Sequence, residues 1–249
     1  RFTNRLQARA SWSNSVGRPP MATLLPLETA NVNQETLTIN NPALKPQLSE
    51  NWDAMLEYYF EPVGQLSAGF FRKDIKDFIV RSPFGTVGVG ADNGYNGDYA
   101  GYTLISQFNG GNAVIEGWEL NYSQQLSFLP GALRGLGVFA NYTRLTTEGN
   151  YGGEASLGTN EVADFVPETA NAGVTFSHRR ISARLNSNYT GTFLDTYNVD
   201  RSRLLYRKGR WIHNLNLSYR INSFLSLSCD IVNVLNEPQQ LYRYLPSRQ

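Results

Sequence analysis

The residues able to do chemistry in this chain are few, and they stand without the partners that catalysis needs. Asp74 and Asp77, or Glu116 and Glu119, lie close enough along the chain to be read as acid–base carboxylates. Such a pair works only beside a nucleophile, a base or a metal site within reach. No serine elbow, histidine or metal-spaced ligand accompanies either pair. The 2 histidines, His178 and His213, make no zinc-type cluster, and the 1 cysteine, Cys229, excludes a disulfide framework. No phosphate-cradling glycine loop is present. The chain therefore reads as a non-enzyme with no metal and no cofactor.

Binding chemistry is better represented. Residues 82–110 are rich in Gly, Tyr and Asn, and include Tyr95, Asn96, Asp98, Tyr99, Tyr102, Gln107 and Asn109. Aromatic faces beside amide groups suit sugars or other polar ligands; the plainer reading is a self-packed loop. Arg201, Arg203, Arg207, Lys208 and Arg210 form a basic run that an anionic chelate or a phosphate could meet. Its plainer reading is a solvated charged loop.

These groups need a scaffold, and the dominant pattern is period-two alternation of apolar and polar residues. Leu6, Ala8, Ala10 and Trp12 alternate with Arg5, Gln7, Arg9 and Ser11. Trp52 to Phe60 repeats the pattern, and a third segment runs from about Leu66 to Val80. Six more follow, marked by Val114 to Tyr122 (Glu116 breaking the apolar face), Leu136 to Tyr142, Ala170 to Phe176, Ile181 to Tyr189, Trp211 to Tyr219, and Leu225 to Ile231. Nine antiparallel strands are expected from these segments.

The connections alternate in length. Links 14–48, 82–110, 148–164 and 195–209 are long, and another begins after Val234. Links 61–65, 129–135, 178–180 and 222–223 are short. A soluble sandwich has no reason to segregate loops this way, whereas a membrane β-barrel keeps short turns at one end and long loops at the other. Composition agrees. Charged residues are 17% and aromatics 12% of the 249 residues, and the mean hydropathy of −0.37 suits strands with one apolar face rather than membrane helices. A net charge of +1 argues against a nucleic-acid partner. Aliphatic positions would face lipid. Tyr58, Tyr59, Phe60, Tyr122, Phe128, Phe176 and Tyr219, beside short turns, would form an interfacial girdle. Cys229, between Leu227 and Ile231, would be a small lipid-facing residue.

Several motifs resemble those of TonB-dependent outer-membrane receptors. They are Asn41-Pro42-Ala43-Leu44-Lys45-Pro46 running on to Glu57-Tyr58-Tyr59-Phe60; Phe70-Phe71-Arg72-Lys73-Asp74-Ile75-Lys76-Asp77-Phe78-Ile79; Gly117-Trp118-Glu119-Leu120; and Ile231-Val232-Asn233-Val234-Leu235-Asn236. Ser15-Val16-Gly17-Arg18-Pro19 also fits. The resemblance implies a bacterial outer-membrane location and a plugged barrel of about 22 strands, of which residues 1–249 would supply strands 13 to 21. It implies uptake of a siderophore, carbohydrate or similar small molecule. The implied partners are outer-membrane lipid and lipopolysaccharide, and the TonB complex acting through an N-terminal region. That plug region and the closing strand are expected to lie beyond the chain, with Arg1 inside a strand. A passive porin-like channel is the alternative, and a soluble all-β binding module a weaker one. The expected fold is thus an all-β, antiparallel, up-and-down transmembrane barrel in part. The ligand candidates are Tyr95, Asn96, Asp98, Tyr99, Tyr102, Arg201, Arg203 and Arg207. On this reading the sequons Asn141-Tyr142-Thr143 and Asn188-Tyr189-Thr190 are only strand residues.

Overall fold

The computed structural model describes residues 3–149, 159, 161–196 and 201–243, without the side chain of residue 82. In chain order its elements are β1 (Leu6–Gly17), a one-turn helix α1 (Met21–Leu24), β2 (Glu28–Asn31), β3 (Thr36–Ile39), β4 (Gln47–Phe60), β5 (Gly64–Lys76), β6 (Ile79–Thr86) and β7 (Thr103–Asn109). There follow β8 (Ala113–Gln125), β9 (Leu136–Gly149), β10 (Glu168–His178), β11 (Ile181–Thr190), β12 (Phe193–Thr196), β13 (Leu205–Arg207), β14 (Arg210–Arg220), β15 (Ser226–Ile231) and β16 (Leu241–Arg243). Nine of them form one sheet in the order β1-β4-β5-β8-β9-β10-β11-β14-β15. These are the nine segments that alternation predicts, each antiparallel to its neighbour.

The register collects the alternation onto two faces. On one face Trp12 opposes Trp52, Ala54, Phe70 and Trp118 follow one another across the sheet, and Val138, Val174 and Leu185 do the same. These side chains touch only their neighbours on the same face, as Trp12 does Trp52 and Phe70 does Trp118, and no second layer covers them: Trp12, Trp52 and Trp118 are 55%, 52% and 61% exposed. The other face is amide- and hydroxyl-rich, with Ser67, Asn121, Asn141, Asn171 and Asn188 forming a row across five strands. A single-layer sheet of this kind has no dry core of its own, and its outward face matches the lipid-facing band of an outer-membrane barrel. Cys229 opposes Leu217 on that face and is exposed.

At the short-turn end Tyr58, Phe60 and Tyr122 stack in sequence, with ring centroids 6.1 Å apart at each step. Tyr59 departs from the expected girdle. Strand parity turns it inward, where its hydroxyl donates to Glu57 Oε2 at 3.2 Å. At the opposite end the outward face turns polar. Arg72 bonds both Asp74 (2.8 Å) and Glu116 (2.9 Å), Lys76 lies 3.7 Å from Glu50, and Arg144 lies 3.8 Å from Glu168. Glu116 is thus one member of a charged belt above the apolar band.

Two expectations need correction. The segment expected from Leu66 to Val80 is not one strand. β5 ends at Lys76, Asp77 takes a left-handed φ of 54°, and β6 leaves for a second sheet. The long links are also far from irregular. Links 14–48 and 82–110 build a four-stranded sheet, β2-β3-β7-β6, in which β3 and β7 are parallel. Link 195–209 supplies β13 and the end of β12, and β16 joins them in a three-stranded sheet. Residues 150–158 and 160 of link 148–164, residues 197–200, and the expected strand start at Arg1 lie outside the described residues.

Candidate functional site

The long-link end is held together by apolar packing of the links and their flanking strands against the ends of β5 and β8. Val80, Leu194 and Leu204 form one buried cluster. Ile75, Ala113, Ile115 and Val162 form another. Phe78 packs against both. Tyr206 adds a polar tie by donating to Glu161 Oε2 at 2.8 Å. Burial first, then this bond to Glu161, pushes its phenol up to about 12. The links therefore form a cap over the inner face of the sheet.

The predicted tyrosines come together on this cap. The ring centroids of Tyr95 and Tyr99 are 5.7 Å apart, and those of Tyr99 and Tyr102 5.3 Å. The loop around them is organised by Asn93, a residue that sequence reasoning missed. Its Nδ2 donates to the carbonyls of Gly88 (3.1 Å) and Asp98 (2.9 Å). Its Oδ1 accepts from the amides of Tyr95 (2.8 Å) and Gly97 (3.0 Å). Burial, then a bond to Glu28, raises the Tyr95 phenol above its ordinary value. Asn96 and Asp98 are exposed. The basic run divides. Arg201 and Arg203 lie exposed on a 3₁₀ turn. Arg207 is engaged within the cap, its Nε donating to Asp195 Oδ1 at 2.9 Å and its guanidinium 5.5 Å from the Phe193 ring centroid.

A cavity of about 590 Å³ lies between β6, β7, the 162–164 segment and the end of β12. Of the predicted groups only Gln107 lines it; Tyr95, Asn96, Asp98, Tyr99, Tyr102, Arg201, Arg203 and Arg207 do not. Arg81, Gln107, Asp164 and Asp195 supply charged and amide lining, and Phe78 and Val162 are among its apolar walls. Val162 also packs on Ile75, Ala113 and Ile115, which belong to the inward-facing parity of β5 and β8, so the cavity sits over the mouth of the barrel interior. Arg81 and Gln107 oppose each other in the β6–β7 register. Both also line a second space of about 260 Å³ with Thr38, Asn40 and Asn41. Gln107 Oε1 is buried without a hydrogen-bond partner. The size and mixed lining are those of a small-molecule site. Among the described residues no group of His, Cys, Asp and Glu could hold a metal ion directly.

Comparison with known proteins gives the following. A family model described as "TonB dependent receptor-like, beta-barrel" matches residues 1–234. The heme/hemopexin utilization protein C of Haemophilus influenzae is 26% identical over 203 residues, 74% of this chain and 27% of that protein. A mutant of the ferric enterobactin receptor of Pseudomonas aeruginosa superposes with a TM-score of 0.67 at 22% identity, over 95% of this chain and 34% of that one. The ferric-catecholate import receptor Fiu of E. coli K12 gives 0.63 at 17% identity, over 95% and 30%. The copper transporter OprC gives 0.65 at 19%, over 94% and 32%. The chain spans about a third of the length of these solved proteins.

Proposed function

Because the chain belongs to the TonB-dependent receptor-like β-barrel family, we propose that its parent protein is a receptor that captures a scarce small ligand outside the cell and imports it by TonB-dependent active transport. The barrel lies in the outer membrane of a Gram-negative bacterium, and its long-link end faces outward by the loop-length rule. The observation that carries the reading is the 590 Å³ cavity placed over the mouth of the interior. A ligand held there already stands on the import path. The names of the relatives, which speak of ferric siderophores, heme and copper, support a metal chelate over a carbohydrate. The exposed tyrosine loop and the Arg201–Arg203 turn would meet the ligand first.

The same reading assigns two further partners. The TonB complex acts through the region N-terminal to this chain. The outward belt of Glu50, Arg72, Asp74, Lys76, Glu116, Arg144 and Glu168 suits the lipopolysaccharide headgroups of the outer leaflet. These charges are too costly for the hydrocarbon and fit its polar boundary.

Uptake of radiolabelled ferric chelates tests the transport reading in cells expressing the parent receptor, with and without a working TonB complex. Accumulation only with the complex is the expected result. Equal accumulation without it overturns active import in favour of a passive channel.

A further inference from the structure

The end of the sheet away from the cap carries a charge pattern that ligand capture does not use. Register brings His178, Ile181, Tyr219 and Leu227 into one row across β10, β11, β14 and β15. It is the last outward row before the short turns, and Ile181, Tyr219 and Leu227 are exposed on it. The ring centroid of His178 lies 6.4 Å from that of Phe176, two residues further into the apolar band. Arg179, Arg180 and Arg220 stand beside this row in sequence, and all three are exposed. They also tie the two turns together. The Arg220 amide donates to the Arg180 carbonyl at 2.8 Å. Arg180 Nη1 donates to the Ile221 carbonyl at 3.2 Å, and Arg220 Nη2 to the Arg179 carbonyl at 3.4 Å. A guanidinium has five N–H donors, so most of them stay open to a ligand. Arg134 adds a fourth charge from the 3₁₀ turn Gly131–Gly135, which packs against β10. The strands and turns that carry these arginines contribute no carboxylate: residues 120–147, 169–194 and 201–229 contain no Asp or Glu. The short turns hold one acid, Glu61, on the β4–β5 turn.

We propose that this rim binds the headgroup of an anionic phospholipid in the periplasmic leaflet of the outer membrane. The proposal rests on the receptor reading for one point, that the short-turn end faces the periplasm. Position favours a lipid over a soluble anion. The arginines continue directly from the lipid-facing band, so a phosphate beside them has its acyl chains against Phe176, Ile181 and Tyr219. Arginine stems lie along apolar surface while the charged head reaches into the polar layer. A guanidinium meets phosphate oxygens with paired N–H donors. The headgroup must be anionic overall. Four positive charges with no carboxylate on their own strands repel the ammonium of phosphatidylethanolamine and not the glycerol of phosphatidylglycerol. Each basic group at an anionic membrane surface contributes about fivefold to binding.

The test uses the full parent receptor in mixed micelles holding equal amounts of phosphatidylglycerol and phosphatidylethanolamine. Lipid retained after transfer to lipid-free detergent is counted by mass spectrometry. Phosphatidylglycerol is expected to be retained at least about fivefold over phosphatidylethanolamine at physiological salt. The preference is expected to collapse in 1 M salt, where screening shortens to about 3 Å. Arg179→Gln with Arg180→Gln is expected to reduce it several-fold, and Arg179→Lys with Arg180→Lys to keep most of it, because the charge remains. Ser223→Glu, at an exposed position of the neighbouring turn, leaves every arginine in place and is also expected to reduce it. Equal retention of the two lipids overturns the proposal and leaves the rim to a soluble acidic partner. A preference unchanged by both the glutamine pair and Ser223→Glu overturns it too. Displacement of the lipid by millimolar inorganic phosphate overturns it in favour of a free-anion site. Uptake that needs no TonB complex would remove the receptor reading and leave this lipid preference standing, whereas loss of the preference leaves the receptor reading untouched.

Discussion

Gly117 faces Phe71 across the β5–β8 register, and Gly173 faces Phe139 across β9–β10. A Cβ on Gly173 would meet the Phe139 ring at 2.4 Å and the Leu185 carbonyl at 2.6 Å. The glycine is there so that the ring can lie flat on the inner wall, where Arg184 sits 4.9 Å over it. Gly173→Leu is therefore expected to cost roughly 1–3 kcal/mol by overpacking, read as a lowered urea midpoint of the folded receptor; an unchanged midpoint would contradict this. Tyr206 gives a pH prediction. Its phenol is raised to about 12 from an ordinary 10, so the folded state prefers the neutral form. The contribution of the Tyr206–Glu161 tie is fully present below pH 10 and is lost as pH rises through about 12. Ultraviolet phenolate titration, with Tyr206→Phe as reference, should show a group ionising near 12; a Tyr206 midpoint near 10 would contradict the tie. At this scale the sequence was partly legible. The tyrosines of the 82–110 link carry their chemistry in their side chains and could be singled out. Gln107 could be named with that loop, but not its place in the cavity wall; Asn93 and Arg81 could not be singled out at all, because their roles come from backbone and cross-strand partners fixed only by the fold.

The strands of the large sheet were legible because a membrane-facing strand repeats the same two-residue rule from end to end. The overrun from Leu66 to Val80 has a physical reason: Phe78 and Val80 continue the apolar parity, and only the left-handed turn at Asp77 diverts the chain. The internal strands of the long links were illegible because they are short, because β3 and β7 pair in parallel between residues 67 apart in sequence, and because their apolar residues serve a cap that no local pattern announces. Phe78 joins the two buried clusters of that cap. Phe78→Ala is expected to loosen the cap and not the barrel, by about 3 kcal/mol for an aromatic truncation. Limited proteolysis of the folded receptor should then cut faster within links 82–110 and 195–209, with the large sheet intact. Unchanged cleavage would mean that the links fold independently.

The whole molecule is organised by the boundary between its outward charges and its outward aromatics. On β9 and β10 the outward face runs from Arg144 to Leu136 and from Glu168 to Phe176 with no charge between. Each run is about eight residues, ~26 Å along the strand, or ~20 Å of depth at the usual tilt of ~40°. That is close to the apolar band of a bacterial outer membrane, which is thinner than an average bilayer. An arginine introduced at Ala172, mid-band, is expected to cost roughly 2–4 kcal/mol, whereas Asn171→Arg on the wet inner face is expected to cost little. The central claim is that one face of this sheet touches lipid and the other lines an aqueous interior. The most direct test places a fluorescent label on single cysteines along β11, at positions 183 to 188, and at Cys229 of β15, in the parent receptor reconstituted in lipid. Quenching by nitroxides on the acyl chains should alternate with period two, strong at Ala183, Leu185 and Ser187 and at Cys229. Quenching by aqueous iodide should peak at Arg184, Asn186 and Asn188. Equal aqueous quenching on both faces, with no response to the acyl-chain nitroxides, would contradict the account.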